Sequence, residues 1–224
     1  MNNRIVLPKI SGFRIKGFHP IFREDVKMSL DGGPYIILGG NGLGKTTLIQ
    51  AVIYGLAGGT NNENIEENKS LRWDHGYFRE RLSSNQLGSN VEIEVDFVFG
   101  ERNFSIRRGF RGSNVIGFRD GNNDWVVSPQ DAQNEFIKCL VEIGGYKSEN
   151  DFSFLVHRLL YLPESRRLIA WDVDTQTRIL MLLNQDVISA DEFRERRKNL
   201  KEMDSRRRHI HVALGQAESQ ISSL

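Results

Sequence analysis

The sequence predicts an α/β fold, in which a glycine-rich loop joins a strand to a helix ahead of an antiparallel β meander. Three observations support this fold class. The apolar run Tyr35–Leu38 comes directly before a glycine-rich loop, and an apolar helix is predicted over Thr46–Ala57. Alternating apolar residues mark strands between positions 91 and 127. A heptad pattern fills the C-terminal segment and predicts the start of a coiled coil.

The N-terminal part contains three predicted strands before the loop. Apolar residues alternate in Phe13–Phe18 and again in Val26–Leu30, as in half-buried strands. Asp31–Pro34 has the composition of a turn. Tyr35–Leu38 consists of consecutive apolar residues, which is typical of a strand buried on both faces of a parallel sheet.

The middle of the chain predicts an antiparallel meander. Val91–Val98 alternates between apolar and polar residues, and Phe104–Arg108 continues on a second strand after a turn at Gly100. Val115–Phe118 and Trp125–Val127 are predicted as further strands. The polar, Asn- and Glu-rich residues 60–70 are predicted as a loop.

Helices follow the meander. One begins at Ser128-Pro129 and ends at Gly144-Gly145, because proline suits a first helical position and glycine suits a helix end. Two more are predicted near residues 151–161 and 175–184, with Asp174 as a possible cap for the second. Cys139 lies among apolar neighbours and is predicted to be a small core residue.

The last segment has capping-box spacing at Ser189 and Glu192, followed by steps of three and four residues. The positions of this seam are Phe193, Arg196, Leu200, Met203, Arg207, Ile210, Leu214, Ala217, Ile221 and Leu224. Most are apolar, so we expect a coiled coil that needs a partner strand. The alternative is one amphipathic helix packed on the body of the protein. We therefore divide the chain into a head segment, 1–188, and the start of a coiled-coil arm, 189–224.

Composition excludes several classes of protein. Thirty basic and 29 acidic residues give a formal net charge of +1, so the chain is not a uniformly basic nucleic-acid binder. A single cysteine forms no internal disulfide. No window approaches the ~20 apolar residues of a membrane helix, and the N-terminus does not resemble a signal peptide. We expect a soluble, cytoplasmic protein without a membrane partner.

The loop at 39–46 fits the phosphate-binding pattern G-x-x-x-x-G-K-[ST]. Glycines let backbone N–H groups surround phosphate oxygens, and the following helix directs its positive end at them. We expect Lys45 to contact the β- and γ-phosphates as the catalytic lysine, Thr46 to bind Mg²⁺ and Thr47 to contact the α-phosphate. The predicted ATP-binding residues are Gly39, Asn41, Gly42, Gly44, Lys45, Thr46 and Thr47.

The phosphate loop alone leaves the class of protein open. A nucleoside kinase usually begins with this loop, whereas here a strand pair precedes it. A GTPase would need Asn-Lys-x-Asp, and Asn68–Leu71 fails at the last position. A self-contained phosphate-loop kinase or GTPase-like switch with a helical tail is one alternative. A nucleotide-binding scaffold without hydrolysis is another.

The sequence resembles the N-terminal head segment of SMC ATPases and their DNA-repair relatives of the RecN and RecF type. The first point of resemblance is the strand Phe13–Phe18, followed by a second strand and then by the loop run Asn41–Ile49, where the family has Asn-Gly-x-Gly-Lys-(Ser/Thr)-(Ser/Thr). Lys69–Arg72 is similar to the family segment whose arginine contacts DNA, which implies Arg72 as a DNA contact. The coiled-coil start near Phe193 is the third point of resemblance.

The resemblance implies half of an ABC-type ATPase head. In this family a C-terminal segment of the same chain supplies the signature motif, the Walker B aspartate and the catalytic glutamate. Two such heads, as a homodimer, bind ATP and Mg²⁺ between them, act on DNA without sequence preference and recruit accessory subunits. This segment alone would then be inactive. The lead-in to the phosphate loop looks closest to the SMC-like subunit of Lamassu-type defence systems.

Two segments depart from the family pattern. Glu164 stands where the resemblance implies a glutamine that senses γ-phosphate and Mg²⁺, and a carboxylate there could bind Mg²⁺ itself. Leu168–Asp172 imitates a Walker B strand, but Val173 occupies the place of the catalytic glutamate. We interpret this run as a lead into the next helix.

Arginines concentrate in three groups that are candidates for contact with a phosphate backbone. The first lies on the predicted meander, the second near the predicted sensing loop and the third on the terminal helix. Their members are Arg102, Arg107, Arg108, Arg111 and Arg119; Arg158, Arg166 and Arg167; and the arginines between Arg194 and Arg208. Interspersed acidic residues favour ordinary solvated charge as the alternative. The histidines show no metal-ligand spacing and are predicted to be structural.

Overall fold

The structure is a computed structural model that describes residues 5–19, 21–59, 78, 91–110, 115–162, 172–184 and 190–222. It divides into two compact units, Met1–Gln176 and Thr177–Leu224. Within the first unit, helices pack on a five-stranded sheet, which confirms the predicted α/β class and its antiparallel meander.

The sheet has the strand order β2-β1-β3-β4-β5, and every pairing is antiparallel. Its strands are β1 Lys9–Lys16, β2 Val26–Ser29, β3 Glu92–Phe99, β4 Arg102–Gly109 and β5 Val115–Asp120. The predicted strand at Trp125–Val127 is reduced to a single bridge between Val126 and Phe118. For the other three strands of the meander, β3, β4 and β5, the alternation of apolar residues predicted the positions correctly.

The two faces of the sheet differ completely in character. On β3, Ile93, Val95 and Phe97 are fully buried, whereas the alternate residues Glu92 and Glu94 are only partly buried. This period of two residues is what an antiparallel sheet with one covered face requires. Helices cover the apolar face, and the polar face carries ion pairs between neighbouring strands.

Helix α1, Lys45–Ala57, lies against this apolar face. Gly55 permits the close approach, because a Cβ added there would lie 2.7 Å from Val95 Cγ2. Ala51 and Leu56 are buried, and the Tyr54 hydroxyl donates a hydrogen bond to Gly109 O at 2.9 Å. The position of α1 on the sheet is thus fixed by shape and by a specific polar contact.

The remaining helices of the first unit follow β5. Helix α2 is Pro129–Glu142 and helix α3 is Glu149–Leu155, which continues into a π-helical turn, Val156–Leu160. Phe136, Phe152 and Leu140 are completely buried in the same core as the sheet. Cys139 is also buried, and burial raises the pKa of its thiol to about 12, so it is the core residue that the sequence predicts.

The strand predicted at Tyr35–Leu38 is wrong for this structure. The segment is not a strand, and Ile36 and Leu38 are 83% and 86% exposed. A strand needs a neighbour for its N–H and C=O groups. Among the described residues, none of the five strands pairs with this segment. In the part of the chain that the structure describes, no neighbouring strand therefore buries the apolar side chains of this segment.

Helix α4 is Val173–Asn184, and its cap is two residues earlier than predicted. Asp172, not Asp174, accepts hydrogen bonds from the Thr175 backbone N–H at 3.1 Å and the Thr175 hydroxyl at 2.7 Å. A carboxylate at the cap satisfies a first-turn N–H that has no partner within the helix. Asp172 thus serves as a helix cap at the end of the run that resembles Walker B.

Helix α5, Ala190–Ser222, has 33 residues and confirms the helical character of the C-terminal segment. Four of its seam residues, Leu200, Met203, Ile210 and Leu214, are between 54% and 63% exposed. The division at position 188 and the pairing of this helix in a coiled coil stay predictions. Among the described residues, no helix has the length and apolar character to cross a membrane.

Candidate nucleotide site

The glycine-rich loop between positions 39 and 44 leads directly into α1. Gly42 and Gly44 have φ angles of 83° and 80°, which residues other than glycine rarely adopt. Gly44 also stands at a close approach, since a Cβ there would lie 3.0 Å from Ile21 Cγ2 and 3.4 Å from the Phe22 ring. The loop conformation therefore explains two of the glycines in the phosphate-binding pattern.

Lys45 is the first residue of α1, and its ammonium group lies over the loop. Its Nζ donates hydrogen bonds to Gly39 O and Gly40 O, both at 2.7 Å. The side chain thus folds back across the concave side of the loop instead of extending into solvent. This places a positive charge beside the loop carbonyls, at the start of α1.

The N-terminal end of α1 is open. Gly44 occupies the cap position, so no side chain of the cap residue bonds to the first turn, and that turn contains no acidic residue. The first N–H groups of a helix lack partners within the helix and carry the positive end of its dipole. An anion is the ligand that this end of α1 suits.

The structure brings together the predicted phosphate-loop residues as one exposed loop and the first turn of α1. Asn41 is exposed, Thr46 is exposed, and Thr47 is buried beneath the loop with 8% of its surface accessible. Thr46 is therefore at the surface, and its role as a metal ligand stays a prediction. Glu164 and Arg72 lie outside the described residues.

An Mg²⁺ ion at Thr46 would need further oxygen ligands. Within the described ranges, no group of three or more His, Cys, Asp or Glu side chains could hold a metal ion. An Mg²⁺ ion at Thr46 would then depend on the phosphate oxygens of a nucleotide, in keeping with the way Mg²⁺ usually binds. The loop and the helix end fit a nucleotide with its metal.

Sequence reasoning missed a polar cluster at the opposite, C-terminal end of α1. The Arg108 side chain is 1% exposed, and its Nε donates to Gly55 O at 3.3 Å. Its Nη2 forms an ion pair with Glu149 Oε1 at 3.0 Å. A cation at this end of a helix interacts favourably with the negative end of the dipole.

His157, on the π-helical turn, completes this cluster. Its Nε2 lies 3.0 Å from Gly58 O, and a carbonyl oxygen can only accept, so Nε2 carries the proton. Burial lowers the pKa of His157 to about 4, which keeps the ring neutral. We call Arg108 and His157 the helix clamp, because both donate to carbonyls at the end of α1.

A signal for Arg108 was present in the sequence. Phe104, Ile106 and Arg108 alternate along β4, so the pattern places the arginine on the buried face. Grouping it with nearby arginines as one surface was wrong, because Arg107 and Arg108 lie on opposite faces of the sheet. The histidine carried no comparable signal beyond its apolar neighbours.

The meander arginines of the predicted phosphate-contacting group are engaged by acidic residues. Arg107 bonds to Glu94 at 2.9 Å, Arg102 pairs with Asp120, and Arg119 lies 4.0 Å from Asp96. Arg107 and Arg119 also stack their guanidinium groups on the Trp125 ring. Arg107 and Arg119 therefore give the polar face of the sheet mixed, paired charge, whereas Arg102 lies opposite Phe99 on the other face. Arg111 lies outside the described residues.

Comparison with known proteins is consistent with the loop geometry. Residues 13–222 match a family described as an AAA domain, which covers nearly the whole chain. The chain belongs to this AAA domain family. Membership indicates an ATPase of the SMC and RecN type. No curated protein matches the chain with significant similarity.

For this AAA domain, the family and the geometry point to the same chemistry. The family supports nucleotide binding and ATPase activity, and AAA ATPase domains typically bind ATP with Mg²⁺. The open end of α1 and the adjacent lysine are what an anionic triphosphate requires. The catalytic and binding roles of the individual loop residues stay predictions.

Proposed function

We propose that the chain is the N-terminal part of an SMC-like ATPase head, which binds ATP and Mg²⁺ at residues 39–47. The observation that carries this proposal is the open end of α1 beneath a loop with Lys45 held across it. Lys45 leaves its carbonyl partners for the β- and γ-phosphates, and Thr46 binds Mg²⁺ together with phosphate oxygens.

The exposed segment Tyr35–Leu38 supports the idea of an incomplete head. An apolar run that enters the phosphate loop is exposed here, although such runs usually form buried strands. A further segment that supplies strands beside it would bury these residues. In our proposal that segment is the C-terminal half of the same polypeptide, and a second head completes the ATP site. If this chain were a self-contained kinase or switch, the apolar side chains of Ile36 and Leu38 would stay exposed to water, as they are in this structure.

The proposed cycle couples ATP to the association of two heads. ATP bound between them favours the engaged state, and hydrolysis releases it. We propose DNA as the partner, with Arg72 as one contact and accessory subunits as further partners. Chromosome maintenance, repair and Lamassu-type defence against phages or plasmids are the settings in which such a motor would act.

Calorimetric titration of ATP with Mg²⁺ into the full-length protein tests the proposed site. We expect Lys45→Ala to abolish binding, because it removes the charge that contacts the β- and γ-phosphates. Lys138→Ala, which removes an exposed lysine from α2, is the matched control and should leave the affinity unchanged. Equal ATP affinity in the Lys45→Ala variant and the wild-type protein would refute the proposal.

A further inference from the structure

The helix clamp connects the phosphate-loop helix with the π-helical turn. His157 is the second residue of that turn, and its ring reaches Gly58 O, one residue beyond the end of α1. The Tyr161 N–H donates to Val156 O at 2.9 Å, and this bond from residue 161 to residue 156 defines the turn. The same short turn therefore contacts α1 and leads to Leu162.

Helix α1 links the clamp to the nucleotide site as a single rigid element. It begins at Lys45, whose ammonium lies over the loop, and ends at Ala57, next to the clamped Gly58. Thirteen residues correspond to a length of about 20 Å. Since a helix this short moves as a unit, a shift at its phosphate end displaces the carbonyls that the clamp holds.

Several contacts hold the clamp at the buried C-terminal end of α1. Arg108 is held by Gly55 O, by Glu149 and by the face of the Phe136 ring, 5.3 Å from its guanidinium carbon. A Cβ on Gly58 would lie 3.3 Å from Arg108 Nη1, so the guanidinium packs directly on this glycine. Elements from four parts of the chain thus meet at one helix end.

The π-helical turn is the element suited to change conformation when α1 shifts. Its hydrogen bonds span five residues, and such turns are rare and frequently occur at functional sites. The turn ends at the surface, where Leu160 and Leu162 are 38% and 66% exposed. Conversion of the turn to α-helix would shift the register of these residues by one position.

We propose that Arg108 and His157 are positioning residues for the nucleotide site, which transmit displacement of α1 by bound phosphate to the turn Val156–Leu160. The inference rests on the proposed binding of ATP at residues 39–47. It adds a route by which occupancy of the loop changes the conformation of a distant surface segment. Neither residue contacts the nucleotide.

Amide hydrogen exchange of the full-length protein, with and without ATP and Mg²⁺, tests the route. We expect ATP to change the exchange rate of the Tyr161 amide by at least about fivefold, the lower range of coupling between sites. His157→Leu should erase this change and weaken ATP binding by a similar factor. His157→Gln should restore both, because its amide N–H₂ can donate to Gly58 O.

Tyr146→Phe is the matched control, since it removes another buried donor to a backbone carbonyl, the bond from Tyr146 Oη to Val6 O. This variant should keep both the ATP affinity and the exchange response of the wild-type protein. A wild-type protein that binds ATP without any change at Tyr161 would overturn the inference, as would a His157→Leu variant that behaves like Tyr146→Phe. If His157→Leu fails to fold, the wild-type exchange response decides alone. Absence of ATP binding by the wild-type protein would overturn the proposed function, and the inference with it.

Discussion

The two ends of helix α1 are built in opposite ways. At its C-terminal end the carbonyls of Gly55 and Gly58 accept hydrogen bonds from buried side chains, and Arg108 and His157 are at most 2% exposed. At its N-terminal end a glycine occupies the cap position, and the loop before it is exposed. Side chains of the protein thus bond to the carbonyls at the C-terminal end, whereas no side chain of the cap residue bonds to the N–H groups at the N-terminal end.

This difference assigns the two ends of one helix to different purposes, the C-terminal end to the stability of the fold and the N-terminal end to the binding of a ligand. A capped end contributes to folding, because buried polar groups with partners avoid the cost of desolvation. An uncapped end retains N–H groups and a dipole that a ligand anion can satisfy. Rigid attachment at one end lets the other end offer its N–H groups in a fixed arrangement. Substitutions at each end of α1 test whether the two ends have these separate roles.

Arg108→Ala should have the largest effect. It leaves the Glu149 carboxylate without its buried partner and Gly55 O without its donor, so we expect the free energy of unfolding to fall by ~3–5 kcal/mol. Urea denaturation measures this loss. Arg102→Ala, which removes an arginine that is 56% exposed from its pair with Asp120, is the control. It should cost no more than about 1 kcal/mol, and equal losses in the two variants would contradict the role of the clamp.

Acidification should produce the next largest effect through His157. Burial lowers the pKa of His157 from 6.5 to about 4, whereas the unfolded chain binds its proton near 6.5. Between these values the unfolded state binds more protons, so stability falls as the pH decreases from 6.5 to 4. At 1.36 kcal/mol per pKa unit the contribution is about 3 kcal/mol.

The difference between the wild-type protein and His157→Gln isolates this contribution from the carboxylates. Chemical denaturation at a series of pH values should show the steeper acid-side decrease in the wild-type protein. Above pH 6.5 the two proteins should differ by a constant amount. Parallel curves between pH 6.5 and 4 would mean that His157 is protonated in the folded state.

The smallest effect is expected on the open side of α1. In the 224-residue chain taken by itself, Ile36→Ser and Leu38→Ser should each change the free energy of unfolding by less than ~0.5 kcal/mol, because these side chains are in contact with water there. Ile106→Ser, at a fully buried position on β4, supplies the contrast. A loss above about 1 kcal/mol for Ile36→Ser would show that the segment is buried in the folded protein.

Much of the fold followed from local pattern. Strands β3, β4 and β5, the helix after the phosphate loop and the long terminal helix begin and end close to the predicted residues, because period and turn residues are local properties. The prediction of a strand at Tyr35–Leu38 was wrong because strand pairing is not a local property. Its apolar composition is local, but pairing depends on a neighbouring strand that local sequence does not supply.

Local sequence was sufficient to predict the glycine-rich loop and the helix that follows it. The spacing of Gly39, Gly44 and Lys45 predicts a loop of this kind ahead of a helix, since glycine conformation and helix polarity are properties of the local chain. The contacts at the other end of α1 depend on tertiary packing. Arg108 and His157 are 49 residues apart in the sequence, and only the packing of β4 and the π-helical turn around α1 brings them to one helix end.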